Sequence, residues 1–501
     1  MSNKNLKLLL PLISGLLTGI SFIIPYFGFI CFFSIVPLFY SILYCNNNLA
    51  FSSVFIFSFA FSLTSDIWFM NIGNDLTDNK LYAFFISLSI ILLVSFVLAL
   101  FHSIPFSIYK YIVSSKKIKV NVILLSFLYI FGEWISGVFP PIAFPWNRLC
   151  NIVSGITPFI QSASVLGGLF ISLSILCING YLSVFLHFLI CKKFKESILA
   201  ILCSMSIFLV NILYGYVVMN NKFPEKENHS VLLVQGNYPK KEKWNHVPEE
   251  IVKAYIEIAE SKMSDTPDIV IFPETALSAN IFKDQTLLKV LTEFCVKHNT
   301  TIITGAQLKD EELIYNVCAV ITSDGIHPDI YRKQILVPFG EYNPFGIFTF
   351  ISSDFSAGKE CVTINTDIGK IGSVICFESI FSDSVSECVE DGAEVITILS
   401  NDSWLGASIP LYQHHTHSII RAVENRRYVL TSTNTGISSV VTPYGKILAE
   451  TEKNTKSSVS AEFCMMENLS IYAFTGNIII IPSCIIILYG SIKTFYRNKR
   501  K

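Results

Sequence analysis

The sequence predicts two architectures in one chain: an α-helical multi-pass membrane bundle of about eight spans, and an extracytoplasmic α/β domain set in before the last of them. Three observations predict this. Hydrophobic residues make up 51% of the chain and charged residues only 15%, against a soluble norm of about 25% charged. Apolar stretches of membrane-spanning length crowd into residues 1–218 and recur once in 471–501, while residues 219–470 are polar and alternate between strand and helix patterns.

Stretches of the roughly 20 residues needed to cross a hydrocarbon core fall near 6–24, 27–45, 49–70, 82–106, 120–139, 162–190, 196–218 and 471–492. The first two are divided only by PYFG. The stretch 140–161, opening PPIAFPWNRLC, is apolar but carries prolines and Arg148, which fits a re-entrant or interfacial segment. A cleaved signal peptide is the rival reading of residues 1–24. No small-residue cleavage site follows, and further spans come at once, so the segment is expected to stay.

Basic residues set the orientation. Lys4 and Lys7 precede the first span, Lys110, Lys116, Lys117 and Lys119 follow the fourth, Lys192, Lys193 and Lys195 follow the sixth, and KTFYRNKRK ends the chain. Eight spans bring all of these to one side, the cytoplasmic side by the positive-inside rule, with both termini there. Residues 219–470 then lie outside. They hold 21 Lys+Arg against 33 Asp+Glu, an acidic excess that gives no reason to expect a nucleic-acid partner.

The outer region reads as an α/β domain. SVLLVQGN, DIVIFPETA, TIITGAQL, YNVCAVITSDG, GSVICFES, AEVITILSND and YVLTSTNTGISSVVTPYGKIL read as strands; PEEIVKAYIEIAESKM, LLKVLTEFCVKHNT and YQHHTHSIIRAVENRR read as helices. There is no Walker loop or Rossmann glycine fingerprint, and no cofactor is expected.

Three motifs carry chemistry. IFPETALS puts Glu274 directly after an apolar strand, YRKQILVPFGEYNP puts Lys333 and Glu341 on a loop, and GSVICFES puts Cys376 at a strand end. A carboxylate, an amine and a thiol at strand ends facing one rim are what thiol acyl transfer needs. A thiol is mostly protonated at neutral pH, so Glu274 would accept its proton as it attacks a carbonyl. The Lys333 ammonium, with a backbone N–H near Phe377, would stabilise the oxyanion, and Glu341 would hold the lysine charged. The blander readings make Glu274 a helix-cap acid, Lys333 a surface lysine and Cys376 core filler.

PET, YRKxxLVPFGEY and ICFE, separated by 59 and 43 positions, resemble the Glu–Lys–Cys triad of the nitrilase superfamily. Set between seven spans and one, the domain resembles the superfamily's membrane branch, the apolipoprotein N-acyltransferase family. VQGNYPKKEKW with Trp244, YNV with Asn316, SNDSWLG with Asn401, Asp402 and Trp404, RAVENRR, and GEWISGVFPPIAFPW in the membrane part fit that pattern. The resemblance implies an α-β-β-α sandwich over 219–470, a membrane domain over 1–218, and a final span and basic tail over 471–501. It implies a bacterial inner-membrane enzyme with its catalytic domain in the periplasm. Its acyl donor would be a phospholipid, typically phosphatidylethanolamine, and its acceptor the α-amino group of a diacylglyceryl-modified apolipoprotein. Glu378 is expected to support the triad, and Trp244, Asn316, Phe339, Phe377, Asn401, Trp404 and the FGIFTFISS loop to line a dry site. Phe377 departs from the tyrosine frequent at that position and has no hydroxyl to offer.

Other features weigh less. His414, His415 and His417 invite a metal reading, but no acidic partner stands at zincin spacing, so a structural helix is expected. Glu133, inside the fifth span, would face the bundle or the headgroups. Six of the thirteen cysteines lie in the outer domain; a disulfide is open there, with partners that sequence does not choose. A membrane-tethered nitrilase-type amidase and a non-catalytic lipoprotein-binding membrane protein are the competing functions. The amidase would use water and release ammonia, with no need of seven preceding spans.

Overall fold

A computed structural model describes residues 3–45, 47–113, 118–220, 228–238, 248–263, 266–277, 280–344, 355–406 and 408–498. The chain divides into two compact units, one formed by Met1–Asn221 with Thr475–Lys501 and the other by Lys222–Phe474.

The first unit is helical. Among the described residues, four stretches are long and apolar enough to cross a membrane: Phe27–Cys45, Lys80–Ile112, Gly168–Ile190 and Phe194–Asn220. Four shorter apolar helices cover Lys7–Ile23, Ala50–Ser65, Asn121–Ile135 and Ile480–Tyr496. Large apolar side chains such as Leu93, Val210 and Leu213 stand more than half exposed on these helices, as lipid-facing surfaces of a membrane protein do. Small residues let helices close up: a Cβ on Gly15 would collide with the Phe57 carbonyl, and one on Gly19 would lie 2.5 Å from the Thr64 Cβ.

The proline-broken stretch 140–161 folds as short helical turns, Pro145–Asn147, Leu149–Ile152 and Thr157–Ile160, with Arg148 buried. Glu133 is also buried, and its Oε1 accepts the Leu149 N–H at 2.9 Å. Of its two expected surroundings, the bundle interior is the one observed. The last apolar segment begins later than 471. A separate helix, Ile471–Thr475, comes first, and Gly476 at φ 58° breaks the chain before Ile480–Asn498.

The second unit is an α/β domain of two sheets. Its strands are β1 (Asn228–Gln235), β2 (Ile269–Ile271), β3 (Thr301–Asp310), β4 (Leu313–Thr322), β5 (Gly325–Ile326), β6 (Tyr331–Arg332), β7 (Ile364–Thr366), β8 (Gly369–Ile375), β9 (Val395–Ser400), β10 (Val429–Thr433), β11 (Ser439–Val441), β12 (Ile447–Glu450) and β13 (Ser457–Cys464). One sheet runs β13-β1-β2-β3-β4-β5, with β6 also on β4; the other runs β12-β11-β10-β9-β8-β7. The centre of each is parallel, β1-β2-β3 and β8-β9-β10, with antiparallel strands outside.

Strand parity explains the layering. Val231 and Leu233 of β1 pack between the sheets with Ile269, Ile303, Ile371, Ile375, Leu399 and Leu430. Leu232 and Val234 point the other way, against Val252, Tyr255, Leu291 and Phe294 of helices α1 (Pro248–Lys262) and α2 (Gln285–His298). Both faces are covered, which is why these strands read as continuous apolar runs. Asp284 caps α2 by accepting the N–H groups of Thr286 and Leu287, each at 3.1 Å. Helices α3 (Ser382–Glu390) and α4 (Ser408–Asn425) belong to the second sheet's half of the domain; α3 is one the sequence did not signal. The long strand read at YVLTSTNTGISSVVTPYGKIL is three strands, broken at Gly436 and Gly445, which take φ values of 125° and 77°.

Candidate active site

Cys376 terminates β8. The strand ends at Ile375, Cys376 turns left-handed at φ 53°, and a 3-10 turn over Cys376–Ile380 follows. A non-glycine residue in that region stores strain, so its surroundings must hold it there. Its carbonyl accepts the Ser379 hydroxyl at 2.7 Å and lies 3.3 Å from His414 Nε2. Just before it, the Ile375 N–H donates to Glu378 Oε2 at 2.7 Å.

Glu274 follows β2 on a turn in which Thr275 is also left-handed, at φ 49°. That turn lies against Gly305 of β3. A Cβ there would come within 2.6 Å of the Glu274 Cα, so only glycine admits the close approach. Lys333 follows β6, where its N–H donates to the Asn316 carbonyl at 2.9 Å.

These elements gather a buried charge cluster. Lys333 Nζ is 3.2 Å from Glu274 Oε1 and 2.9 Å from Glu341 Oε1. Asn316 Nδ2 donates to the same two oxygens at 2.8 and 3.1 Å. Glu341 is tethered in turn by its Oε2, which accepts the Val337 N–H at 2.8 Å. Burial alone would push the Lys333 amine down, but Glu274 and Glu341 outweigh it and hold the group as an ammonium. Burial, and after it the Glu274 carboxylate, push the Cys376 thiol up against the opposing pull of Lys333, so the resting thiol is protonated. A protonated thiol, a carboxylate and a fixed ammonium within electrostatic reach of one another are equipped for proton abstraction, nucleophilic attack and oxyanion stabilisation.

The two parts of the chain match two families. Residues 231–465 match the carbon-nitrogen hydrolase family and residues 14–181 match the apolipoprotein N-acyltransferase N-terminal domain. Relatives called apolipoprotein N-acyltransferase align through both parts. The one from Thermotoga maritima is 28% identical over 88% of this chain and 84% of its own, and the one from Aquifex aeolicus is 26% identical over 87% and 94%. A third, from Chlorobaculum tepidum, is 25% identical over 76% and 78%. Through both of its parts the chain is similar to apolipoprotein N-acyltransferases.

Around the cluster, the other residues singled out in the sequence take varied positions. Glu378 is buried beside Cys376; its Oε1 accepts the N–H groups of Gln334 and Ile335 at 2.6 and 3.0 Å, joining the Cys376 turn to the lysine loop. Burial raises its carboxyl above the usual range, against the pull of Lys333 and those N–H groups. Phe377 is buried and packs edge-to-face on Phe381 with ring centroids 5.2 Å apart. Phe339 is 45% exposed and left-handed at φ 62°. Asn401 and Trp404 are half-buried, and Asn401 Oδ1 accepts Asn434 Nδ2 at 3.0 Å. Trp244 and the loop 345–353 lie outside the described residues.

One pairing beside Cys376 went unread in the sequence. Asp402 Oδ1 is 2.9 Å from His414 Nδ1 and accepts the Ser400 hydroxyl at 2.7 Å, while His414 Nε2 faces Ser379 Oγ at 3.0 Å and the Cys376 carbonyl. A carboxylate on one ring nitrogen and a carbonyl on the other both call for protons, the pattern of an imidazolium. Burial opposes that charge, but Asp402 outweighs it and raises the histidine. His415 instead meets the Ser439 hydroxyl at 2.8 Å, and burial with the neighbouring His414 brings it down to about 4. SNDSWLG and YQHHTH each carried half of the Asp402–His414 pair, but nothing in their spacing joins them.

Proposed function

We propose that this protein transfers an acyl chain from a membrane phospholipid to the α-amino group of the diacylglyceryl-modified N-terminal cysteine of apolipoproteins, through a thioester on Cys376. The observation that supports this best is the buried Lys333 ammonium shared by Glu274 and Glu341 beside a strained, protonated thiol. Glu274 takes the thiol proton as Sγ attacks the ester carbonyl carbon. The oxyanion is met by Lys333 and a backbone N–H near Phe377. Collapse breaks the C–O ester bond, and Glu274 returns the proton to the departing lysophospholipid oxygen. In the second half, the lipoprotein amine attacks the thioester carbonyl and gives a proton to Glu274; collapse forms the amide and breaks the C–S bond, and Glu274 passes the proton to the departing Cys376 sulfur, restoring the thiol and the carboxylate. Glu341 keeps Lys333 in place, and Glu378 fixes the nucleophile's turn.

Both substrates are anchored by acyl chains, so a catalytic domain in one chain with membrane helices meets them without extracting them into water. Eight spans, both termini in the cytoplasm and the catalytic domain on the periplasmic face of a bacterial inner membrane complete the reading; the distribution of basic residues supports it. Trp244, Asn316, Phe339, Phe377, Asn401 and Trp404 line the substrate path. The amidase and binding-protein readings are not favoured, since the match to acyltransferases runs through membrane and catalytic parts alike.

The test is intact-protein mass spectrometry after incubation with phosphatidylethanolamine. A hydroxylamine-sensitive acyl adduct on wild type, absent from Cys376→Ala, is expected. An adduct that persists in Cys376→Ala, or ammonia released from small amides with no adduct, would overturn the proposal.

A further inference from the structure

Two thiols outside the catalytic cluster stand in each other's reach. Cys388 is buried on α3, Cys361 is half-buried just ahead of β7, and their Sγ atoms are 2.7 Å apart. That is inside ordinary contact for two unbonded sulfurs and a short movement from the roughly 2.05 Å of a bond. The two backbone segments are already fastened beside the pair: Asp391 Oδ2 accepts the Thr363 N–H at 3.0 Å and the Thr363 hydroxyl at 2.8 Å. Little has to be ordered for the sulfurs to join. The enclosed stretch, 27 positions long, contains β7, β8 and the Cys376 turn.

We propose that Cys361 and Cys388 are oxidised to an intramolecular disulfide that staples β7 to α3 on either side of the nucleophile. The oxidant is a protein disulfide of the oxidising compartment outside the cytoplasm. Cys361, the more accessible thiol, gives up its proton and attacks one sulfur of the donor disulfide, expelling the other as a thiolate. Cys388 then loses its proton and attacks the Cys361 sulfur of the mixed disulfide, releasing the donor as its dithiol. Two electrons and two protons pass from the pair to the donor, and Cys376 takes no part. The bond removes conformational freedom from the unfolded chain and leaves these two thiols unable to capture an acyl group from a neighbouring thioester.

The experiment uses the full-length protein in detergent, alkylated with N-ethylmaleimide at lysis and digested without reductant. A linked peptide pair holding Cys361 and Cys388 is expected, with eleven of the thirteen cysteines alkylated. Thirteen alkylated cysteines, or a bond between a different pair, would overturn the proposal. A second measurement reads the staple itself. Reduction is expected to lower the wild-type melting midpoint by roughly 5–10 °C and to leave the double variant Cys361→Ala, Cys388→Ala unmoved. Equal midpoints for oxidised and reduced wild type would refute the stapling role. Neither readout uses activity, so its failure is separate from failure of the acyl-transfer mechanism, which predicts that the double variant still forms its acyl-enzyme.

Discussion

Replacing Lys333 with methionine removes the charge that two carboxylates share while keeping much of the side-chain volume. Lys333 is 1% exposed, with carboxylate oxygens at 3.2 and 2.9 Å. At an effective dielectric of about 20, each pair carries about 5 kcal/mol of gross attraction. Most of that offsets desolvation of the ions, and breaking such a buried arrangement costs about 3–5 kcal/mol. Lys333→Met is therefore expected to lose about that much stability in chemical denaturation and to slow acyl-enzyme formation by roughly 10²–10³-fold, the range for loss of an oxyanion donor. The double variant Lys333→Met, Glu341→Gln separates the two effects. Removing one stranded carboxylate should restore much of the stability and none of the rate. Wild-type denaturation and wild-type single-turnover acylation in Lys333→Met would refute the reasoning.

Further expectations follow from single contacts. Glu378→Gln would present an amide N–H₂ to backbone N–H donors now held at 2.6–3.0 Å; a loss of about 1–3 kcal/mol is expected in denaturant titration, with slower acylation. Gly305→Ala would push its Cβ into the Glu274 turn, and single-turnover acylation should fall by at least about tenfold, the scale on which displaced catalytic groups act. The His414 pKa is raised on folding, so the stabilisation from its pair with Asp402 should be complete below the unfolded value near ~6.5 and fade as pH climbs through the folded one. The stability gap between wild type and His414→Gln should shrink in that direction across a pH series; a constant gap would show that the ion pair is not its source.

What the sequence made legible was what neighbours in the chain determine. Helices α1, α2 and α4 follow their periodic patterns, and the strands of the sandwich centre are apolar enough to be read, because both faces are buried. What escaped was set by single backbone angles or by distant partners. Gly436 and Gly445 divide one apparent strand into three, and Gly476 ends a helix that hydropathy runs through. Helix α3 is short and rich in serine and acid, with little apolar signal to betray it. At the site, Glu274, Lys333 and Cys376 each sat in a readable motif, whereas Asp402 and His414 meet only because the turn after β9 is brought to α4.

Glu274 sits on the turn that follows a strand of one sheet and Cys376 on the turn that follows a strand of the other, with the core of Ile303, Cys318, Ile371 and Ile375 packed between the sheets. That core is a gauge block: its thickness bears on how far the Glu274 turn stands from the Cys376 turn. A residue of the interior exchanged for a larger or smaller one, remote from substrate, alters the working distance of the chemistry as a shim alters a bearing. Variants that keep the domain folded while shifting the spacing between the sheets therefore belong among the variants of the candidate site.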